Sequence, residues 1–167
     1  MMTDLYLSLG SNIEPSFFYL RKALLALSGY FSMGNHSLLY RTQPQDDLKQ
    51  DYFFNLCVKC QTHLLDPYEV LAITQKIEND IGRQKSDSRP KGPRAIDIDI
   101  ILFGDEKINS KTLTLPHKSW KKRNFVLVPL LDVDEKLALI YPIKEWIEEN
   151  QRKGNQDIEC LGEFVLG

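Results

Sequence analysis

Leu5, Leu7 and Leu9 alternate with Tyr6 and Ser8, a period of two that predicts a strand closed by the turn cluster Gly10-Ser11-Asn12. Behind it, Phe17, Leu20, Leu24 and Leu27 recur at helical spacing, with Pro15 suited to a first-turn position and Ser28-Gly29 placed to stop the helix. Residues 37–42 and 53–64 read as a second and a third strand. Between them the polar, proline-bearing stretch 43–51 reads as a mobile loop. Asp66-Pro67, followed by Glu69, opens a second helix with an N-cap, a first-turn proline and an acid at the capping-box position. Val70, Ile73, Thr74, Ile77 and Ile81 give that helix its inner face, and Gly82 ends it. From Gly82 to Arg94 there is no apolar period, and a stretch of that length is expected to be functional or disordered. Ile96 to Phe103 is the clearest strand. A polar turn at Leu113-Thr114-Leu115-Pro116, a basic segment and a short apolar element over 125–131 follow, then a helix around Ile143 to Asn150 in a tail with no evident role. The order strand, helix, strand, strand, helix, strand predicts an α+β chain of the ferredoxin-like βαββαβ kind. Its antiparallel sheet would carry packed helices in a three-layer α/β/α stack.

A length of 167 residues fits one domain spanning 1–167, since domains run to about 150 residues. With 43% hydrophobic and 26% charged residues, the composition excludes a collagen, a mucin-like stalk and a long disordered tail. Lys and Arg number 21 against 23 Asp and Glu, a net charge of −2 that disfavours nucleic acid as the main partner. Any bound anion must then be met by a local cluster of cations. The first apolar run, Leu5 to Leu9, is too short for a signal peptide or a membrane span, so no membrane partner is expected. Three cysteines fit a reducing compartment, which makes the cytoplasm the expected location.

Candidate chemistry centres on Asp97 and Asp99. In a strand, residues two apart share a face, so both carboxylates point one way and Ile96, Ile98 and Ile100 the other. A solvated strand face would carry such a pair too. Aspartate is disfavoured in strands, however, and like charges side by side repel, which a divalent cation relieves. Hard oxygen ligands of this number suit Mg²⁺, and two such ions could clamp a phosphoryl transfer. Arg83, Lys85, Arg89, Lys91 and Arg94 precede the pair, and Lys118, Lys121, Lys122 and Arg123 follow His117. Either run alone reads as a solvated surface; together around an acidic pair they suit a polyphosphate. No P-loop motif occurs. Phe53 and Asn55 share one strand face, where a flat heterocycle could stack on the ring while the amide reads its edge. A core ring and a turn-closing amide fit those residues as well. Phe125 offers a second ring or the start of an apolar core segment. Cys57 and Cys60, three apart on a strand, face opposite sides and lack a second pair, so neither zinc nor redox chemistry is expected. His36 and His63 have no ligand-spaced partners.

Several ordered segments together resemble one family: Leu7-Ser-Leu-Gly-Ser-Asn12, Tyr40-Arg-Thr42, residues 50–55, Gly82-Arg83, Gly92-Pro-Arg-Ala-Ile-Asp-Ile-Asp99, Leu115-Pro-His117, and 123–130. They resemble the 6-hydroxymethyl-7,8-dihydropterin pyrophosphokinases of folate biosynthesis over nearly all the chain except its last 25 or so residues. The resemblance implies that ATP donates its β,γ-pyrophosphate to the pterin hydroxymethyl oxygen and leaves AMP. It implies Asp97 and Asp99 as ligands of two Mg²⁺ ions and Arg83 and Arg94 as catalytic loop arginines. Phe53 and Phe125 would sandwich the pterin, with Asn55 and Thr42 at its edge. Gln75, Glu78, Lys85, Arg94, Ile100, Thr114, His117 and Arg123 match positions around ATP. The chain departs from the family pattern at Pro90-Lys91, where an aromatic often stands, at Lys85 in place of arginine, and at Lys118 in place of proline or an aromatic. These departures bear on loop closure and affinity. Small-molecule substrates, no nucleic acid and a monomer are the expected partners and state. Two rivals are a ferredoxin-like RNA-binding module, for which the RNP1 pattern is lacking, and a metal-dependent nuclease or nucleotidyltransferase built on the same acids.

Overall fold

The computed structural model describes residues 1–43, 52–82, 94–154 and 157–166. Strand β1 spans Thr3–Ser11, so the alternation of leucines runs on through the expected turn at Gly10. Helix α1 (Ser16–Ser28) buries Leu20, Leu24 and Leu27. Phe17, predicted on that stripe, is instead exposed and meets the rings of Phe54 and Phe164 edge-on at 5.2 and 6.0 Å. The predicted strand at 37–42 is β3 (Leu39–Thr42), and a strand the pattern had not indicated, β2 (Ser32–His36), precedes it. The sequence Ser-Met-Gly-Asn-His of β2 carries no strand pattern, and its ladder exists because Gly34 lets the backbone lie against β4 (Phe53–Thr62): a Cβ there would sit 2.7 Å from the Lys59 carbonyl oxygen.

Helix α2 (Pro67–Gly82) starts as its sequence requires, with the Asp66 carboxylate accepting the Tyr68 N–H at 2.9 Å. Strand β5 (Asp97–Phe103) follows. The expected polar turn forms the strand β7 (Thr114–Leu115), paired with β6 (Ile108–Asn109). A 3-10 turn at Trp120–Lys122 leads into α3 (Asn124–Val133), which contains the apolar run. The tail adds α4 (Leu137–Ile140), α5 (Ile143–Lys153) and a strand β8 (Ile158–Gly162) that the sequence pattern had not indicated.

The main sheet runs β5-β1-β4-β3-β8, with β2 also on β4, and its recorded pairings are antiparallel. Leu5, Leu7 and Leu9 of β1 turn toward α1 and α2, joined by Leu56 and Val58 of β4 and Ile98 and Ile100 of β5. Each buried leucine contributes about 2 kcal/mol through removal from water. A second cluster covers the opposite face, where Tyr6, Cys57, Ile101 and Leu102 meet Trp120, Val126, Leu127 and Ile143. Ile101 faces that side by ordinary alternation, and Leu102 joins it because the register slips between Tyr6 and Leu7, leaving one extra residue in β5. Cys57 and Cys60 fall in different clusters, as their spacing required, and burial pushes the Cys60 thiol up to about 12. His63 and His36 lie against the backbone carbonyls of Met1 and Ser37, and the His36 ring also meets Phe164 edge-on at 6.3 Å. Among the described residues, no helix is long and apolar enough to cross a membrane.

The far end of α3 is tied to the sheet by charge-assisted bonds. Asp132 accepts from the Tyr40 hydroxyl and the Leu38 N–H, while Asp134 accepts from the Tyr6 hydroxyl at 2.6 Å and from Lys59 Nζ at 3.2 Å. Burial and those carboxylates together push both tyrosine hydroxyls above their usual range, so they remain donors. Tyr40→Phe removes one such bond and is expected to lower stability by about 1–2 kcal/mol, read as a lower urea midpoint at unchanged m. An unshifted midpoint would show that this anchor contributes nothing.

Candidate active site

The period of two in four adjacent strands assembles the floor of a cavity of about 480 Å³ on the α3 face of the sheet. Asp99 lies opposite Ser8 and Asp97 opposite Gly10; Gly10 in turn lies opposite Asn55 on β4, and Thr42 of β3 opposite Phe53. Side chains at these positions share one face by pleat geometry, so two carboxylates, an amide, two hydroxyls and a ring converge although they come from four strands. The wall is made by His117, Lys118 and Ser119 beyond β7, and by Lys122, Arg123 and Phe125 where the 3-10 turn passes into α3.

Gly10 is the thinnest part of the floor. A Cβ there would lie 2.9 Å from Asn55 Oδ1 and 3.7 Å from the Phe53 ring, so the bare backbone is what lets both side chains lean across β1. Asn55 is buried, and its Nδ2 donates to Thr42 Oγ1 at 2.8 Å. That bond fixes the amide with its carbonyl toward Gly10.

Two acids face four cations, Arg94, Lys118, Lys122 and Arg123, around this space. Arg94 Nη1 donates to Asp97 Oδ2 at 2.6 Å, and its backbone N–H donates to Asn12 Oδ1 at 2.7 Å, which fixes where the chain enters β5. Its guanidinium also stands 5.9 Å from the Phe53 ring centre. Asp99 Oδ2 lies 3.7 Å from Arg123 Nη1 and 3.9 Å from His117 Nε2, while Arg123 sits 5.5 Å from the Phe125 ring centre. Burial raises the Asp99 pKa, against the pull of Arg123 and Arg94, although 37% of its side chain stays accessible through the cavity. Its ionised form is therefore short of positive charge. Burial first, and then Arg123 and Lys118, lower the His117 pKa from 6.5 to about 4, so the ring is neutral near pH 7. Because Nδ1 accepts the Ser119 N–H at 3.1 Å, the proton of the neutral ring lies on Nε2, facing Asp99. His117 thus serves as a donor.

Of the residues singled out from sequence, Thr42, Phe53, Asn55, Arg94, Asp97 and Asp99 meet in this cavity, as do His117, Arg123 and Phe125. Others stand apart from its lining. Gln75 is exposed on α2, the Ile100 side chain is buried in the core, and Thr114 pairs in β7. Glu78 accepts the Ile98 N–H at 2.7 Å and so braces β5 from the α2 side. Arg83, Lys85, Arg89, Lys91 and Gly92 lie outside the described residues, as does the stretch 44–51. Lys118 and Lys122, read from sequence as part of the basic run, also line the cavity, whereas Ser8, Gly10, Gln43 and Ser119 line it without having been picked out. Ser8 and Gly10 could have been found, since they are the positions of β1 that alternate with its leucines. Among the described residues no group of three or more His, Cys, Asp or Glu could cage a metal.

A family model described as 7,8-dihydro-6-hydroxymethylpterin-pyrophosphokinase matches residues 6–135. The curated 2-amino-4-hydroxy-6-hydroxymethyldihydropteridine pyrophosphokinase of Aquifex aeolicus is 38% identical over 156 residues, which cover 91% of this chain and 95% of that protein. The protein of the same name from Bacillus subtilis is 37% identical over 162 residues, 96% of this chain and 95% of its own. Among solved structures, wild-type Plasmodium falciparum HPPK-DHPS with pteroate aligns at a TM-score of 0.71 and 17% identity, over 94% of this chain and 47% of that one. This last likeness concerns the fold, and the chain spans about half of that structure.

Two outcomes are expected from this geometry. In metal-free protein the His117 ring resonance should titrate near 4, with folding stability falling as pH drops from 6.5 toward that value, because the unfolded chain takes up the proton first. A midpoint near 6.5 would contradict the burial argument. Gly10→Ala should cost about 1–3 kcal/mol by overpacking, and most of that loss should vanish in an Asn55→Ala background, where the methyl group has room. Equal losses in both backgrounds would clear Asn55 as the obstacle.

Proposed function

The chain belongs to the 7,8-dihydro-6-hydroxymethylpterin-pyrophosphokinase family, and from that premise we propose how its residues divide the work. The reaction is the transfer of pyrophosphate from ATP to the hydroxymethyl group of 6-hydroxymethyl-7,8-dihydropterin, a step of folate biosynthesis. The RNA-binding and nucleotidyl-transfer readings fall away with it.

The observation that carries the assignment of residues is one shared cavity. Its acid-and-cation end (Asp97, Asp99, Arg94, Arg123) and its ring-and-amide end (Phe53, Asn55, Phe125) lie on the same floor, as a reaction joining a polyphosphate to a flat heterocycle requires. Phe53 and Phe125 stack the pterin. Asn55, its amide oriented by Thr42, reads the ring's hydrogen-bonding edge. Phosphate oxygens meet Arg123, Arg94 and the Nε2–H of His117, whose neutrality adds a donor without repelling the neighbouring arginines. Gln75, Glu78, Lys85, Ile100 and Thr114 remain assigned to the nucleotide side, and Arg83 with Arg94 to the transferring group.

The donor set fits Mg²⁺: two hard carboxylates side by side, one short of compensating charge, with too few protein ligands for a closed cage. Asp97 and Asp99 would hold two such ions, and magnesium when bound withdraws charge from the phosphates and polarises the attacking hydroxyl. Arg94, bonded to Asp97, would turn to the transferring group once that carboxylate binds metal. The walls themselves supply positioning, holding the hydroxyl about 3–3.5 Å from the β-phosphorus. With its proton on Nε2, His117 has no free lone pair facing Asp99 with which to act as base.

We propose further that the chain acts as one domain and as a monomer in the cytoplasm, where its free cysteines Cys57, Cys60 and Cys160 fit a reducing compartment. For the architecture we favour the ferredoxin-like βαββαβ arrangement. Counting β2 and β3 as one interrupted strand, the order β5-β1-β4-β3 supports it, and clusters on both sheet faces support three layers.

AMP should appear from ATP and Mg²⁺ only when the hydroxymethyl pterin is present; pterin-independent AMP or ADP would overturn the reading. Asp97→Ala is expected to lower kcat by about 10³-fold or more with the fold intact, and Arg94→Ala to lower kcat by about 10²-fold with little change in KM for ATP. An active, metal-responsive Asp97→Ala protein would remove that residue from the ligand set.

A further inference from the structure

Arg123 and Lys122 belong to a short basic turn, and the chain around them is gripped from behind by the tail. Asn150, buried on α5, donates from Nδ2 both to the Lys121 carbonyl oxygen at 3.0 Å and to Asn124 Oδ1 at 2.8 Å. Asn124, fully buried at the start of α3, donates in turn to the Ile147 carbonyl oxygen at 3.3 Å. These bonds hold the backbone two residues before Arg123 and the side chain directly after it. Trp120, at the head of the turn, is buried edge-on against Tyr141 and Trp146 at 5.0 and 5.2 Å, and Lys121 lies 5.1 Å from the Trp146 ring centre. Every outer contact named here comes from residues 141–150, which lie beyond the 6–135 matched by the family.

We propose that Asn150 is a positioning residue for phosphate recognition: through Lys121 and Asn124 it sets the turn from which Arg123 and Lys122 face the nucleotide. The inference rests on the placing of the phosphates at Arg123 given above. A buried amide donating to two oxygens tolerates few other orientations, because rotating it breaks both bonds at once. Glu148, Glu149 and Gln151 beside Asn150 face outward, so α5 is joined to the site through its inner face of Ile143, Trp146, Ile147 and Asn150. Asn150 touches no substrate. Its effect is expected in the binding of ATP, with pterin stacking on Phe53 left alone.

The test compares Asn150→Ala, Arg123→Ala and the double variant, with Asn150→Ser as a milder replacement should alanine impair folding. Asn150→Ala should raise KM for ATP about tenfold, with kcat and the KM for pterin within about threefold, and the double variant should be no worse than Arg123→Ala. If instead the two losses multiply, or if Asn150→Ala and Asn150→Ser change only the melting temperature, Asn150 is a stability residue and the proposal fails. If Arg123→Ala itself leaves KM for ATP and kcat unchanged, the phosphate reading fails first. The comparison thus separates the two ideas.

Discussion

Holding two carboxylates next to each other on one strand face is the constraint that organises the rest of this site. The pleat puts Asp97 and Asp99 on the same side, and their mutual repulsion has to be met by something. Four cations gather round, drawn from the entry to β5 and from the turn before α3, and burial still leaves Asp99 reluctant to ionise. An arrangement that incurs this electrostatic cost within an otherwise ordinary α+β fold is what the proposed role of the two carboxylates as magnesium ligands would require. The neutral His117 fits the same logic, since a third kind of positive charge there would oppose Arg123 at close range.

The second organising feature is the register of β1. Its inner side carries Leu5, Leu7 and Leu9, and beyond Tyr6 its outer side turns small, with Ser8 and Gly10 leaving space over which Asn55 and Phe53 lean from one neighbour while the aspartates stand on the other. Shifting β1 by a single residue would turn leucines into the cavity and bury serine in the core. The hydrophobic pattern that folds the sheet is thus the same pattern that spaces the site, and neither could change alone.

How much of this could be read from the chain depends on how local each signal is. The aspartate pair, the Phe53–Asn55 pair and the opposite-facing cysteines were legible because a period of two needs only neighbouring residues. The meeting of those pairs was not, since it depends on β1 lying between β4 and β5. Gly10 was misread for a related reason: a glycine beside serine and asparagine looks like a turn, and only a close approach from another strand reveals it as strand interior. Similarly, β2 and β8 lack alternation and exist through the partners they pair with. Phe17 kept helical spacing yet lies exposed, because α1 rests on the sheet through Leu20, Leu24 and Leu27, and aromatic neighbours outside that stripe receive it. Nor did Glu78 betray that its carboxylate caps a backbone N–H of β5.

Helix α3 is clamped at both tips, by Asn124 at the front, which donates to the Ile147 carbonyl oxygen, and by the tyrosines that hold Asp132 and Asp134 at the rear. A rod fastened at two points cannot swing. Phe125 stands one residue inside the front clamp, on the wall of the cavity whose floor carries Phe53. If those two rings receive the pterin as proposed, folding has already set the gap that a flat guest must enter, before any hydrogen bond forms.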